Sequence, residues 1–210
     1  RGDKLHQTYA MPITRYGGVY LGFVMVFDTA SDRVACELAW SADTVAWQRI
    51  EPGHALIPNS ETAGDYDWGC VYAAAPVFTK KEIRLYYGAS NGPHTNWRDG
   101  FLALATLRPD GFAGYETVAP EHHGVIVTTP VTCTGRRLKV SADAAGASIR
   151  VGLLVNDQDP AGMSEPIIAD VTDQPVRTAG RDDLTRLIGK PIRLRFELTG
   201  GKLYSFSFGE

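Results

Sequence analysis

Tyr86-Tyr87-Gly88 followed by Leu104-Ala105 repeats, at an offset of about 66 residues, Tyr20-Leu21-Gly22 followed by Leu38-Ala39. In each copy an aromatic-Gly stretch precedes a stretch of small and apolar residues. An Asp-bearing turn (Asp43; Asp110-Gly111) and an aromatic residue (Trp47; Phe112) then follow. Short runs rich in β-branched and aromatic residues, bounded by Gly, Asp, Asn and Pro, read as strands. A strand unit repeated in this way predicts a four-stranded antiparallel blade of a β-propeller. Two unrelated meanders of similar composition are the alternative.

The same signals recur along the chain, and helical periodicity is nearly absent. Strands are expected at 19–27, 34–41, 68–75, 83–89 and 101–107, and again at 125–133, 138–142, 148–155, 191–198 and 203–208. One helical turn is expected over 182–188, capped by Asp182 or Asp183 and stopped by Gly189-Lys190-Pro191. Around 120–124 the repeat ends and the rhythm shortens. The closing run Ile192-Arg193-Leu194-Arg195-Phe196-Glu197-Leu198 alternates apolar and charged residues, as does a strand with one buried face. The predicted fold class is all-β: a partial β-propeller of about two four-stranded blades over residues 1–120, then a β-sandwich over residues 121–210.

The composition narrows the function classes. The 210 residues are 44% hydrophobic and 21% charged, with a net charge of -3, and the cations are scattered singly. No extended basic field attracts a phosphate backbone, so nucleic acid is not an expected partner. Nor is there a run of about 18 apolar residues, the length that spans a bilayer as a helix, and no membrane partner is expected. Cys36, Cys70 and Cys133 lie far apart, with no CxxC and no His at ligand spacing. That spacing indicates neither a zinc site nor a disulfide framework, and the three read as small buried hydrophobes. The start at Arg1-Gly2-Asp3, without Met or a charged-then-apolar leader, suggests a processed chain or a piece of a longer one.

The order of several motifs resembles a known family. Tyr16-Gly17-Gly18-Val19-Tyr20-Leu21-Gly22-Phe23, Glu37-Leu38-Ala39-Trp40-Ser41-Ala42-Asp43 with Trp47 and Arg49, Tyr66-Asp67-Trp68-Gly69, Leu85-Tyr86-Tyr87-Gly88-Ala89 and Leu104-Ala105-Thr106-Leu107-Arg108-Pro109-Asp110-Gly111-Phe112 are similar to the last blades of the five-bladed propellers of glycoside hydrolase families 32 and 43. The tail, with Gly135-Arg136-Arg137-Leu138, Leu187 to Phe196 and Leu203-Tyr204-Ser205-Phe206, resembles the C-terminal β-sandwich that follows such propellers. The resemblance implies the C-terminal portion of a glycoside-hydrolase-like protein that hydrolyses or binds glycosidic substrates in a propeller channel. The alternative is a non-catalytic carbohydrate- or protein-binding β module. A closed ring takes at least about four blades, so the missing N-terminal blades are expected from the same protein or another chain. They would cover open strand edges and the apolar faces around Tyr20, Phe23, Tyr86 and Leu104. The family's first-blade Asp has no counterpart among these residues.

Two carboxylates are catalytic candidates. Asp67 stands at the start of the expected strand 68–75, on the channel side if the propeller reading holds. Tyr66 and Trp68 flank it: aromatic faces suit the apolar face of a sugar, and a carboxylate accepts from hydroxyls. The competing reading is a plain turn residue in Gly64-Asp65-Tyr66-Asp67. Glu37 lies inside a strand, and its register decides whether it faces a site or solvent; the family's Glu-Cys pair is reversed here as Cys36-Glu37. Glycoside hydrolysis uses two carboxylates about 5 to 9.5 Å apart. His94, Trp97 and Arg98 sit in the polar loop 90–100 and are substrate-binding candidates, with a solvated hairpin loop around Gly92-Pro93 as the alternative. His122-His123 reads as a linker feature and Asn156-Asp157-Gln158-Asp159 as a turn, so no metal site and no cofactor are expected.

Overall fold

The computed structural model describes residues 5–154, 160, 162–178 and 183–210. The turn at 156–159, Val155, Asp182 and the start at Arg1 lie outside the described residues. The chain is all-β with several sheets, and it divides into two compact units, one ending at Phe112 and the other running from Ala113 to Glu210.

The first unit holds β1 (His6–Ala10), β2 (Ile13–Tyr16), β3 (Val19–Asp28), β4 (Arg33–Ser41), β5 (Gln48–Arg49), β6 (Ala55–Ile57), β7 (Cys70–Ala73), β8 (Val77–Phe78), β9 (Ile83–Ser90) and β10 (Gly100–Leu107). Strands β1 and β2 both pair with one side of β3. Strands β5 and β6 both pair with the far side of β4, so these six make an antiparallel group four strands wide. Strands β7 and β8 likewise share one side of β9, and β10 takes the other, giving a group three strands wide. A single parallel bridge, Val34 to Cys70, joins the groups.

The repeat locates the two hairpins but not their pairing. Gly22 lies opposite Ala39, whereas Gly88 lies opposite Leu102 rather than the offset-matched Ala105. The reason is the connection: residues 29–32 form a tight turn, while 91–99 form a long loop that shifts the register. Gly22 is needed for packing, since a Cβ there would come within 2.7 Å of Met11 Sδ and 2.9 Å of the Trp47 ring. Phe23, expected on an open face, is fully buried instead. Its ring meets Phe112 at 6.0 Å, Phe112 also packs edge-on against Tyr16 and Phe78, and the Tyr16 hydroxyl donates to Asp110. These contacts fasten residues 110–112 to the first unit.

The second unit holds β11 (Tyr115–Glu116), β12 (His123–Val127), β13 (Val131–Thr132), β14 (Arg137–Asp143), β15 (Ser148–Leu154), β16 (Asp170–Val176), the 3-10 turn Thr185–Leu187, β17 (Pro191–Thr199) and β18 (Lys202–Gly209). One sheet runs β11-β18-β14-β16; the other places β12 and β13 on one side of β17 and β15 on the opposite side. Leu138 and Val140 from the first, and Ile149, Val151, Leu194 and Phe196 from the second, share one core. The expected strand 125–133 is broken at Thr128-Thr129-Pro130, because Pro130 offers no N–H for a ladder. The Thr128 N–H donates to Leu194 O at 2.9 Å across the break, and the Leu194 N–H returns to Thr128 Oγ1 at 3.0 Å. The expected helical turn 182–188 is the 3-10 turn Thr185–Leu187, whose N-cap is Leu184 rather than an Asp; Asp183, one residue earlier, accepts the Thr185 N–H at 2.8 Å. His123 pairs with Thr199 through its ring nitrogen at 2.8 Å, while His122 sits in the preceding turn.

Two outcomes check this packing. Phe196 is fully buried, so Phe196→Ala removes a large core side chain and should cost about 3 to 5 kcal/mol, read as faster hydrogen exchange of β17 amides; unchanged protection would contradict the register. All three cysteines are free and buried, and burial, with the Glu37 carboxylate second, pushes the Cys36 thiol up to about 12. Because only the thiolate reacts, an aromatic disulfide reagent at about pH 8 should leave the native protein unlabelled and label three thiols after unfolding. Rapid labelling of the native chain would show the burial to be wrong.

Candidate functional site

The loop 58–69 between β6 and β7 carries Tyr66, Asp67 and Trp68, and contacts made by Arg33 from outside it and by Asn59 and Gly69 within it hold it in place. Arg33, at the start of β4, donates from Nε to Trp68 O at 2.7 Å and from Nη2 to Ser60 O at 3.0 Å, and its guanidinium lies 4.9 Å from the centre of the Trp68 ring. Asn59 Nδ2 donates to Val34 O and Asp67 O, each at 3.1 Å. Gly69 passes so close to the neighbouring loop that a Cβ would sit 1.8 Å from Gly92 O. Only glycine fits there, and the Gly69 N–H donates to Ser90 O at 2.8 Å.

This anchoring brings Asp67 under Tyr87 of β9. Asp67 is only 8% exposed, and its Oδ2 accepts from the Tyr87 hydroxyl at 3.0 Å. Tyr66, 48% exposed, lies with its hydroxyl 3.2 Å from that of Tyr87, and its ring meets Phe101 of β10 edge-on at 6.3 Å. Burial first, then the hydrogen bonds with Tyr66 and Asp67, hold the Tyr87 phenol well above the usual tyrosine range. Asp67 Oδ1 has no hydrogen-bond partner among the described residues. Trp68, expected beside Asp67 as a sugar platform, is occupied by the Arg33 guanidinium.

The loop 91–99 is organised by its own side chains. Arg98 Nη1 donates to the carbonyls of Pro93, His94 and Asn96, and Asn91 and Asp99 are joined by three hydrogen bonds across the loop base. His94 packs inward, 5.1 Å from the Tyr9 ring and 4.5 Å from the Phe27 ring, with its backbone N–H on Asp32 O. Trp97 is presented to solvent, 94% exposed, beside a groove of about 570 Å³ whose lining includes Tyr72, Gly88, Arg98, Phe101 and Leu102. Phe101 therefore borders both this groove and Tyr66.

Glu37 makes no hydrogen bond with Tyr66, Asp67 or Tyr87 and lines a cleft of about 310 Å³ that includes Arg33, Asn59 and Ser60. It is 4% exposed, its Oε2 takes the Arg49 guanidinium through Nε at 2.8 Å and through Nη2, and its Oε1 accepts the Gly53 N–H at 3.1 Å. Both oxygens are engaged in holding the β5–β6 turn to β4. Among the described residues no three His, Cys, Asp or Glu side chains come together as a metal site. No described helix is long and apolar enough to cross a membrane.

Tyr87 and Phe101 contact the candidate residues Asp67 and Tyr66 although the sequence marked them only as strand residues. The available signal was Tyr87 itself: it alternates with Leu85 and Ala89 on a buried face, and a buried phenol requires a partner.

No protein-family model and no curated protein matches this sequence. Among solved structures, 95% of the chain aligns with 53% of a glycoside hydrolase family 43 arabinoxylan arabinofuranohydrolase from Bacillus subtilis in complex with cellotetraose, at 13% identity and a TM-score of 0.32. A second alignment covers 98% of the chain and 60% of a protein described as a glycoside hydrolase, at 10% identity and a TM-score of 0.34. The chain spans little more than half the length of these two structures.

Proposed function

We propose that this chain is the C-terminal part of a glycoside-hydrolase-like propeller protein and contacts a glycosidic substrate through Asp67, Tyr66 and Phe101, with Trp97 at the rim. The observation that carries the reading is Asp67: a nearly buried carboxylate, oriented by Tyr87, with one oxygen left unclaimed between half-exposed aromatic rings. Aromatic faces stack on the apolar face of a sugar while a carboxylate oxygen takes its hydroxyls, which is a combination suited to carbohydrate. His94 and Arg98 enter as supports that shape the loop presenting Trp97. The open side of β10, at the end of its sheet, is where further strands of the same protein or of another chain would continue the fold.

One observation favours the second reading, a carbohydrate-binding module without hydrolysis. Cleavage uses two carboxylates across the scissile bond, and Glu37, the other candidate, is committed to Arg49 and Gly53. Asp67 alone binds and orients.

Calorimetry on a panel of oligosaccharides, run alongside a reducing-sugar assay, tests both. A bound glycan should lose about tenfold in affinity with Asp67→Asn and about three- to tenfold with Trp97→Ala. Release of reducing ends by the 210-residue chain would select hydrolysis over binding. No binding by any glycan, or affinities unmoved by both substitutions, would sink the carbohydrate reading. Glu37→Ala should leave the affinity in place while costing about 2 to 3 kcal/mol in unfolding free energy, less than a fully buried pair because Arg49 keeps some exposure.

A further inference from the structure

We infer that the chain Tyr66, Tyr87, Asp67 presents only hydrogen-bond acceptors to the ligand, so that the site selects neutral sugars and rejects uronic acids and other anionic sugars. The inference rests on the carbohydrate reading above and deepens it.

The direction of the protons follows from counting donors. A carboxylate has none, so the 3.0 Å contact between Tyr87 and Asp67 Oδ2 uses the single proton of Tyr87. The Tyr87 oxygen then enters its 3.2 Å contact with Tyr66 as acceptor, and the proton of Tyr66 points inward. Two things remain for a ligand: the outward lone pairs of the Tyr66 oxygen and Asp67 Oδ1, which is unclaimed among the described residues. Burial keeps Tyr87 protonated, which keeps this polarity fixed.

A sugar hydroxyl supplies a donor to each acceptor. A carboxylate or sulfate supplies none and sets a second negative charge beside Asp67, in a place where burial strengthens the repulsion. Nearby cations are turned elsewhere: Arg33 to two carbonyls and the Trp68 ring, Arg98 to the carbonyls of its own loop. Tyr87 thus acts as a positioning residue, setting what Tyr66 can offer without touching the ligand.

The test is calorimetry with oligosaccharide pairs matched in length and linkage, one member carrying hydroxymethyl groups and the other carboxylates. Mannotetraose with its mannuronate counterpart, cellotetraose with its glucuronate counterpart, and tetragalactose with tetragalacturonate serve as probes. In whichever pair binds, the neutral member should be at least about tenfold tighter. Tyr87→Phe, which frees the Tyr66 proton to point outward, should narrow that ratio by about threefold or more. Equal or tighter binding of the uronate, or a ratio untouched by Tyr87→Phe, would overturn the inference while leaving carbohydrate binding intact. Should Tyr87→Phe fail to fold, Tyr66→Phe at the half-exposed position decides: it should weaken the neutral sugar more than the uronate, and an equal or smaller loss for the neutral sugar would overturn the inference. Absence of binding to every probe would overturn the carbohydrate reading, and this inference with it.

Discussion

The guanidinium of Arg33 holds the loop on which the candidate site is built. Its two hydrogen bonds reach Trp68 O and Ser60 O, near opposite ends of the segment that carries Tyr66 and Asp67, and its central carbon lies over the Trp68 ring, 4.9 Å from the centroid. A loop of this kind has few ladder hydrogen bonds of its own, so its carbonyls need donors from elsewhere. A planar group with several donors in fixed directions answers two of them at once, which a lysine at the same place would not do. Asn59 adds a second tie between the β4 backbone and Asp67 O. The position of Asp67 under Tyr87 is a consequence of these ties to β4, not of the short strand β7 alone.

The two carboxylates singled out in the sequence illustrate how environment separates residues of the same chemical type. Glu37 and Asp67 are both almost buried, yet each oxygen of Glu37 meets a donor, whereas Asp67 spends only one. A buried carboxylate with all its lone pairs satisfied contributes to holding the fold and gains nothing from a ligand. One with an unengaged oxygen keeps a lone pair available to water or another donor. The difference assigns Glu37 to the β5–β6 turn and is the basis on which Asp67, not Glu37, carries the proposed ligand contact.

How much of this was legible in the residues depends on whether neighbours in sequence or in space decide the outcome. The strand 191–199 was legible because Ile192, Leu194, Phe196 and Leu198 alternate, and the structure buries all four. Strand β16 was not: Asp170–Val176 is polar, contains Pro175 and reads as a loop, yet it pairs with β14 as an edge strand, where a missing N–H can face away from the ladder. The expected strand 68–75 shortens to Cys70–Ala73 because Trp68 and Gly69 are drawn into the loop contacts instead. In the site, Asp67 and Trp68 were visible as residue types, but the cover of Trp68 by Arg33 depends on a partner 35 positions away. His94 stood in a polar loop and packs into an aromatic cluster formed with Tyr9 and Phe27, for which nothing in its immediate neighbours gives a signal.

The unequal widths of the two strand groups in the first unit have a covalent cause. In the first copy the residues after β4 return as β5 and β6 and add a fourth layer to the sheet. In the second copy the matching residues after β10 are divided: Phe112 is held by Tyr16, Phe23 and Phe78, while Tyr115 and Glu116 pair with Leu203 and Lys202 of β18. The second copy therefore has no counterpart of β5 and β6 among the described residues of its sheet. Strand β10 ends the sheet order of the first unit, and Gly100–Leu107 carries no charge or proline of the kind that discourages pairing at a sheet edge, with Leu102 82% exposed beside Phe101. The apolar strand that ends the sheet is thus the one whose Phe101 ring meets Tyr66 edge-on.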